Sequence, residues 1–141
     1  MKRTLLLITL TIFLLNCSLV KITIANVEKS SVVEYGDVTA AAYNRACNTV
    51  PKIFANNKLY MAVNKKSKKT AYYYGCDGSG RVKATIYFTY GNDQILTIQI
   101  DTLVEGEAAR VQAENIANDL KNRITNEFDA LLKKPNKFIF F

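Results

Sequence analysis

Residues 81–104 hold the pattern that most restricts the fold. Val82, Ala84, Ile86, Phe88 and Tyr90 alternate with Arg81, Lys83, Thr85, Tyr87 and Thr89. After Gly91-Asn92-Asp93 the pattern resumes from Gln94 to Val104, with Leu96, Ile98 and Ile100 set against Thr97, Gln99 and Asp101. Successive side chains of a strand point to opposite faces, so each run carries one apolar and one polar face. Joined by a short turn, the two runs form an antiparallel hairpin with one buried side and one wet side. Such a sheet needs a second layer over its apolar face.

The rest of the chain supplies more strands and that layer. Val32-Val33-Glu34-Tyr35 reads as a first strand, with Val27 to Ser31 a tether or a lead-in, and Gly36-Asp37 breaks it. Lys58 to Asn64 alternates around Leu59, Met61 and Val63. Lys65-Lys66-Ser67-Lys68-Lys69 forms a charged turn into Thr70–Cys76, which holds Tyr72, Tyr73 and Tyr74. Asp77-Gly78-Ser79-Gly80 is a strong turn signal. Thr39 can cap a helix over 40–56 because its side-chain oxygen can accept an early backbone N–H. Tyr43, Ala46, Cys47, Val50 and Phe54 give that helix one apolar stripe, and Pro51 predicts a bend or restart. A second helix is expected from Glu105 to Lys134, with Ala109, Ala113, Ile116, Leu120, Ile124, Phe128 and Leu131 as its core stripe. Lys137 to Phe141 is apolar and lies past the helix end.

The resulting order is β-α-β-β-β-β-α. It predicts an α+β fold: an antiparallel four- to five-stranded sheet covered by two helices. The long C-terminal helix crosses the sheet, a helix-grip-like two-layer sandwich that often encloses a cavity.

The N-terminus addresses the chain for export. Lys2 and Arg3 precede an apolar run from Leu5 to Leu15, a charged region followed by a hydrophobic region of signal-peptide length. A membrane-spanning helix needs roughly 20 residues, and one built here would bury Asn16 and Lys21. Residues 1–25 are therefore read as a signal peptide and 26–141 as a single domain. Two endings are open. Leu14-Leu15-Asn16-Cys17 permits lipidation at Cys17, and Thr23-Ile24-Ala25 permits cleavage after Ala25.

Charge and cysteine content narrow the chemistry. The chain of 141 residues has a formal charge of +7, and loss of Lys2, Arg3 and Lys21 takes 3 away to leave +4. That excess favours anionic surfaces only weakly. Export argues against nucleic acid as a partner. The sequence has no histidine, which removes Ser-His and Cys-His nucleophilic pairs and the commonest metal ligand. No catalytic motif, metal site or cofactor is expected. Apart from Cys17, the cysteines are Cys47 and Cys76. In an oxidising compartment an even pair of this kind predicts a disulfide, worth roughly 3.5 kcal/mol for a loop of about 30 residues.

Three side-chain clusters stand out. Lys65, Lys66, Lys68 and Lys69 suit an anionic surface, or simply a solvated turn that protects a sheet edge. Tyr60, Tyr72, Tyr73, Tyr74, Tyr87 and Tyr90 suit a contact surface, or core filling. Asp101, Glu105 and Glu107 could serve as paired carboxylates, but capping and the dipole of the last helix explain them with less.

The lipobox-like Leu14-Leu15-Asn16-Cys17, the segment Gly36-Asp37-Val38-Thr39-Ala40 that opens the first helix, and the hairpin strands before Glu105–Ile124 resemble a group of small Gram-negative envelope lipoproteins. Virulence-associated lipoproteins are among them, and most are of unknown function. The resemblance implies an α+β fold, a location in the cell envelope (at the outer membrane facing the periplasm, or soluble in the periplasm) and an internal cavity. It carries no catalytic residue over. The expectation is a non-enzymatic exported protein that binds a partner protein or an envelope lipid. The alternative is a small periplasmic enzyme or enzyme inhibitor built on Asp, Glu or Tyr groups.

Overall fold

The computed structural model describes residues 25–106, 110–132 and 135–140, with Ala25 and 135–140 described through their backbone. Residues 1–24 of the expected signal segment 1–25, with Cys17 among them, lie outside the described residues, as does Glu107. In chain order the elements are β1 (Ala25–Tyr35), α1 (Ala40–Asn56), β2 (Tyr60–Lys66), β3 (Thr70–Cys76), β4 (Val82–Tyr90), β5 (Leu96–Gly106), α2 (Arg110–Leu132) and β6 (Pro135–Phe140). The strands form one antiparallel sheet in the order β2-β3-β4-β5-β1-β6. Both helices pack on one face of it: α2 lies across β1 and β5, and α1 lies against β2 and β3. The two-layer α+β sandwich expected from the pattern is the fold found.

Alternation in β4 and β5 places side chains as the sequence predicts. Ala84, Ile86, Phe88, Leu96, Ile98 and Ile100 are buried under the helices. They meet Tyr43, Cys47, Val50, Ile53 and Phe54 from α1 and Leu120, Ile124 and Phe128 from α2 in one core. Phe88 is its centre, edge-on to Tyr43, Tyr73 and Phe128 with ring centroids 6.4, 5.8 and 5.5 Å away. The space under α2, where a helix-grip cavity was expected, is filled by Ala113, Ala117, Leu120, Ile124 and Phe128, each 2% exposed or less.

Helix α1 begins where Thr39 predicts: its side chain accepts the N–H of Ala42 at 3.1 Å. The helix runs through Pro51 without a restart. Pro51 removes one N–H from the ladder, but Val50, Ile53 and Phe54 on either side of it are fully packed. The end of α1 is clamped to α2. Glu127 accepts hydrogen bonds from the side-chain amides of Asn56 and Asn57, each at 3.2 Å.

Several elements depart from the expectation. β1 absorbs Val27–Ser31 and runs eleven residues, paired along its length with β5. Helix α2 starts at Arg110, because Glu105 and Gly106 finish β5. Ile116 is 37% exposed, and Ala117 takes the core position instead. Three- and four-residue steps from Ala113 to Phe128 leave Ile116 at the margin of the stripe. In β2 the register shifts between Met61 and Val63, so Val63 lies opposite Tyr74. A bulge of this kind moves the following residues to the other face. The apolar tail forms β6, with Ser31 opposite Phe140 and Val33 opposite Phe138. It adds a sixth strand and covers an edge that β1 would otherwise expose.

Candidate functional site

Among the described residues, the helices cover one face of the sheet and nothing covers the other. Alternation fixes what it presents. In β3, Ala71, Tyr73 and Gly75 point to the helices, and Tyr72, Tyr74 and Cys76 point away. In β4 the outward set is Lys83, Thr85, Tyr87 and Thr89. Three tyrosines stand well out of the core: Tyr60 is 71% exposed, Tyr87 40% and Tyr72 36%.

Register assembles these residues into rungs. Lys65 lies opposite Tyr72, and Tyr72 opposite Tyr87, which in turn lies opposite Gln99. Directly opposed residues have Cβ atoms about 5 Å apart, so Tyr72 and Tyr87 are side by side. They line a cleft of about 270 Å³ with Lys65, Lys66, Ser67 and Thr70. Ser67 fixes the turn beneath it. The Ser67 N–H donates to the Thr70 carbonyl at 2.7 Å, and its hydroxyl accepts the Thr70 N–H at 3.0 Å. The Tyr43 hydroxyl donates to the Ser67 carbonyl at 3.0 Å and ties the turn to α1.

Lys65, Lys66, Lys68 and Lys69 are all exposed on this hairpin. None joins a salt bridge among the described residues. Elsewhere on the uncovered face, charge is already partnered. Lys83 pairs with Glu105 at 2.6 Å, and that hydrogen bond holds the Lys83 ammonium above its usual range. Asp101 accepts from the Ser30 hydroxyl and from the Gln99 amide, the latter at 2.9 Å. Asp101 and Glu105 are four residues apart on β5 with separate partners, so they do not act as one carboxylate pair.

The expected Cys47–Cys76 bridge is not formed; both cysteines are free. The sheet stands between them. Cys47 lies on the buried face of α1, in the core with Tyr43 and Tyr73. Cys76 shares the uncovered face with Tyr72 and Tyr74, opposite Lys83. Burial pushes the Cys47 thiol above its ordinary value.

Two further clefts lie on the helical side. One, of about 320 Å³, runs between β1 and α2 and is lined by Ser31, Val33, Thr125, Asn126 and Asp129. The Ser31 hydroxyl is buried without a partner among the described residues. At its rim the Tyr35 hydroxyl donates to Asp129 at 2.6 Å. The other, of about 350 Å³, lies between Asp37, Val38, Arg45 and Leu131. Sequence periodicity missed both, since they form where separate elements meet. Among the described residues, no group of three or more His, Cys, Asp or Glu side chains could hold a metal. No described helix is long and apolar enough to cross a membrane.

No protein-family model matches the chain, and no curated protein does. Among solved structures it is similar to the exocytosis-sensitive phosphoprotein pp63/parafusin, a phosphoglucomutase from Paramecium, in its open form. The TM-score is 0.52 at 12% identity, over 80% of this chain. The chain spans 23% of that protein's length. The likeness is one of fold: a sheet with helices on one side.

Proposed function

We propose that the chain is an exported, non-enzymatic envelope protein, held at a membrane through its N-terminal segment, that binds a partner through the uncovered face of its sheet. The observation that carries this reading is the opposed, exposed pair Tyr72 and Tyr87 beside a lysine hairpin that joins no salt bridge among the described residues. Amphipathic aromatic side chains are enriched where proteins bind, and the hydroxyls leave them tolerant of water when the face is empty. A lipid held inside the fold is disfavoured, because the space under α2 is occupied by side chains. The missing histidine and the separate partners of Asp101 and Glu105 argue against acid-base catalysis on this face.

The test is photo-crosslinking in the native host, with a benzophenone amino acid at position 72 and a control at exposed position 116. A discrete adduct from position 72 that the control lacks supports the reading. Equal labelling at both positions, or none at 72, refutes it. The intact mass of the mature protein decides the tether: acylated Cys17 at the start supports it, and Asn26 at the start removes it.

A further inference from the structure

Strand register fixes where the basic hairpin sits relative to the chain's N-terminal end. Ala25 pairs with Gly106 at one end of the sheet, and Tyr35 pairs with Leu96 at the other. Tyr90 also lies opposite Leu96, and the Tyr90 N–H donates to the Lys69 carbonyl at 2.7 Å. The Lys65–Lys69 turn is therefore at the end remote from Ala25. An eleven-residue strand at about 3.3 Å per residue puts the two ends about 35 Å apart. The hairpin and the N-terminal end of β1 therefore lie at opposite ends of the sheet.

The chemistry of the cleft narrows the partner further. Four lysines within five residues, unpaired in the described structure, call for negative charge. Tyr72 and Tyr87 offer two exposed aromatic side chains with phenol hydroxyls, and Ser67 and Thr70 add further hydroxyls to the wall. A sugar ring has the matching form, an apolar C–H face with a hydroxyl rim. A volume of about 270 Å³ falls just below the range of small-molecule sites, which begins at roughly 300 Å³. It suits a ring or two of a longer chain rather than a whole enclosed ligand. Lysine supplies a compact positive point charge with which a carboxylate can pair.

We propose that the corner formed by Lys65, Tyr72 and Tyr87 binds a carboxylate-bearing saccharide chain. The proposal rests on the binding-face reading above and names the partner's chemistry. The rings stack on the two tyrosines, and the carboxylates reach the lysines.

The test is calorimetric and NMR titration of the mature protein with four probes: a galacturonic acid tetramer, a neutral N-acetylglucosamine tetramer, a hexaglutamate peptide and phosphatidylglycerol vesicles. The expected result is binding of the galacturonate tetramer, with amide shifts centred on residues 65–72 and 87. Tyr72→Ala/Tyr87→Ala and, separately, Lys65→Glu each weaken it about tenfold or more. The neutral tetramer binds more weakly than the acidic one. Hexaglutamate or vesicles binding as well as the acidic saccharide would show charge alone and overturn the proposal. So would no binding, or binding that both variants leave unchanged. If the tyrosine variant does not fold, Lys65→Glu decides. A specific crosslink at position 72 without saccharide binding removes this proposal and leaves the binding face standing, whereas failure of both removes both.

Discussion

Cys47 and Cys76 give the fold its sharpest test, because the sheet separates them. Cys47 is 1% exposed on the buried face of α1, and Cys76 is partly exposed on the far face of the sheet. The structure predicts two thiols of unequal reactivity in the mature protein. Cys76 reacts with a maleimide under native conditions. Cys47 reacts only when the core opens, and burial raises its thiol pKa, which lowers the thiolate fraction further. A domain stability of about 5 kcal/mol, the low end for natural proteins, already slows labelling through global unfolding more than about a thousandfold. The assay is a time course of labelling followed by intact mass, in buffer and in denaturant. One label arrives quickly in buffer, and both arrive in denaturant. Reductant leaves the melting temperature unchanged. A Cys47–Cys76 bridge would give a different record: a mass lighter by two hydrogens, no native label, and a loss of roughly 3.5 kcal/mol on reduction. That loss would lower the melting point by more than about 10 °C. Such a record would mean that β3 runs with the opposite face inward, and the uncovered tyrosine face would fall with it.

Further outcomes follow from the packing. Phe128→Ala should cost about 3–5 kcal/mol in urea unfolding, since the ring is fully buried against Phe88. Gly75→Ala should cost about 1–3 kcal/mol, because an added Cβ comes within 2.9 Å of the Phe54 ring. Thr39→Ala should cost about 1 kcal/mol by removing the α1 cap. Stability should fall in alkali. Burial holds the Cys47 thiol above 9.0 and the phenols of Tyr35, Tyr43 and Tyr73 above 10.0. The unfolded chain ionises first, so their contribution is whole below about pH 9 and is lost as pH rises through 9–10 and beyond. Melting temperatures between pH 7 and 11 check this.

Local periodicity carried much of the fold. Strands β4 and β5 bury the residues that their alternation assigns, and α1 occupies 40–56 behind the Thr39 cap. What the sequence hid was set by contacts between distant segments. The β2 bulge sends Val63 outward because of its pairing with β3, which no count along β2 alone can show. The tail reads as apolar, yet only the neighbouring β1 makes it a strand. The disulfide expectation counted cysteines without assigning faces. Strand parity was available in Thr70–Cys76: with Tyr73 inward, Cys76 must point outward. The candidate site lay in the same reach of sequence, as lysines and tyrosines seen separately. Register is what sets Lys65, Tyr72 and Tyr87 on one rung.

The uncovered face combines features that a purely structural sheet surface does not need. Solvent-facing antiparallel strands are served well by threonine and charged residues, and Thr85, Thr89, Thr97 and Glu34 meet that need here. Tyrosines 40% and 36% exposed add apolar area that water penalises. They gather beside lysines without ionic partners among the described residues, at one corner, while Lys83 and Asp101 nearby are satisfied. Lysine at an edge strand has a ready explanation in blocking aggregation, and that alone accounts for Lys65 and Lys66 on β2. It does not account for Tyr72 and Tyr87, which lie on the inner strands β3 and β4. The aromatic pair is therefore the part of the corner that an edge-protection role leaves unexplained, and Tyr72→Ala/Tyr87→Ala separates binding from solubility. Loss of ligand with an unchanged melting temperature assigns the pair to recognition, whereas a loss of stability without loss of ligand assigns it to the sheet.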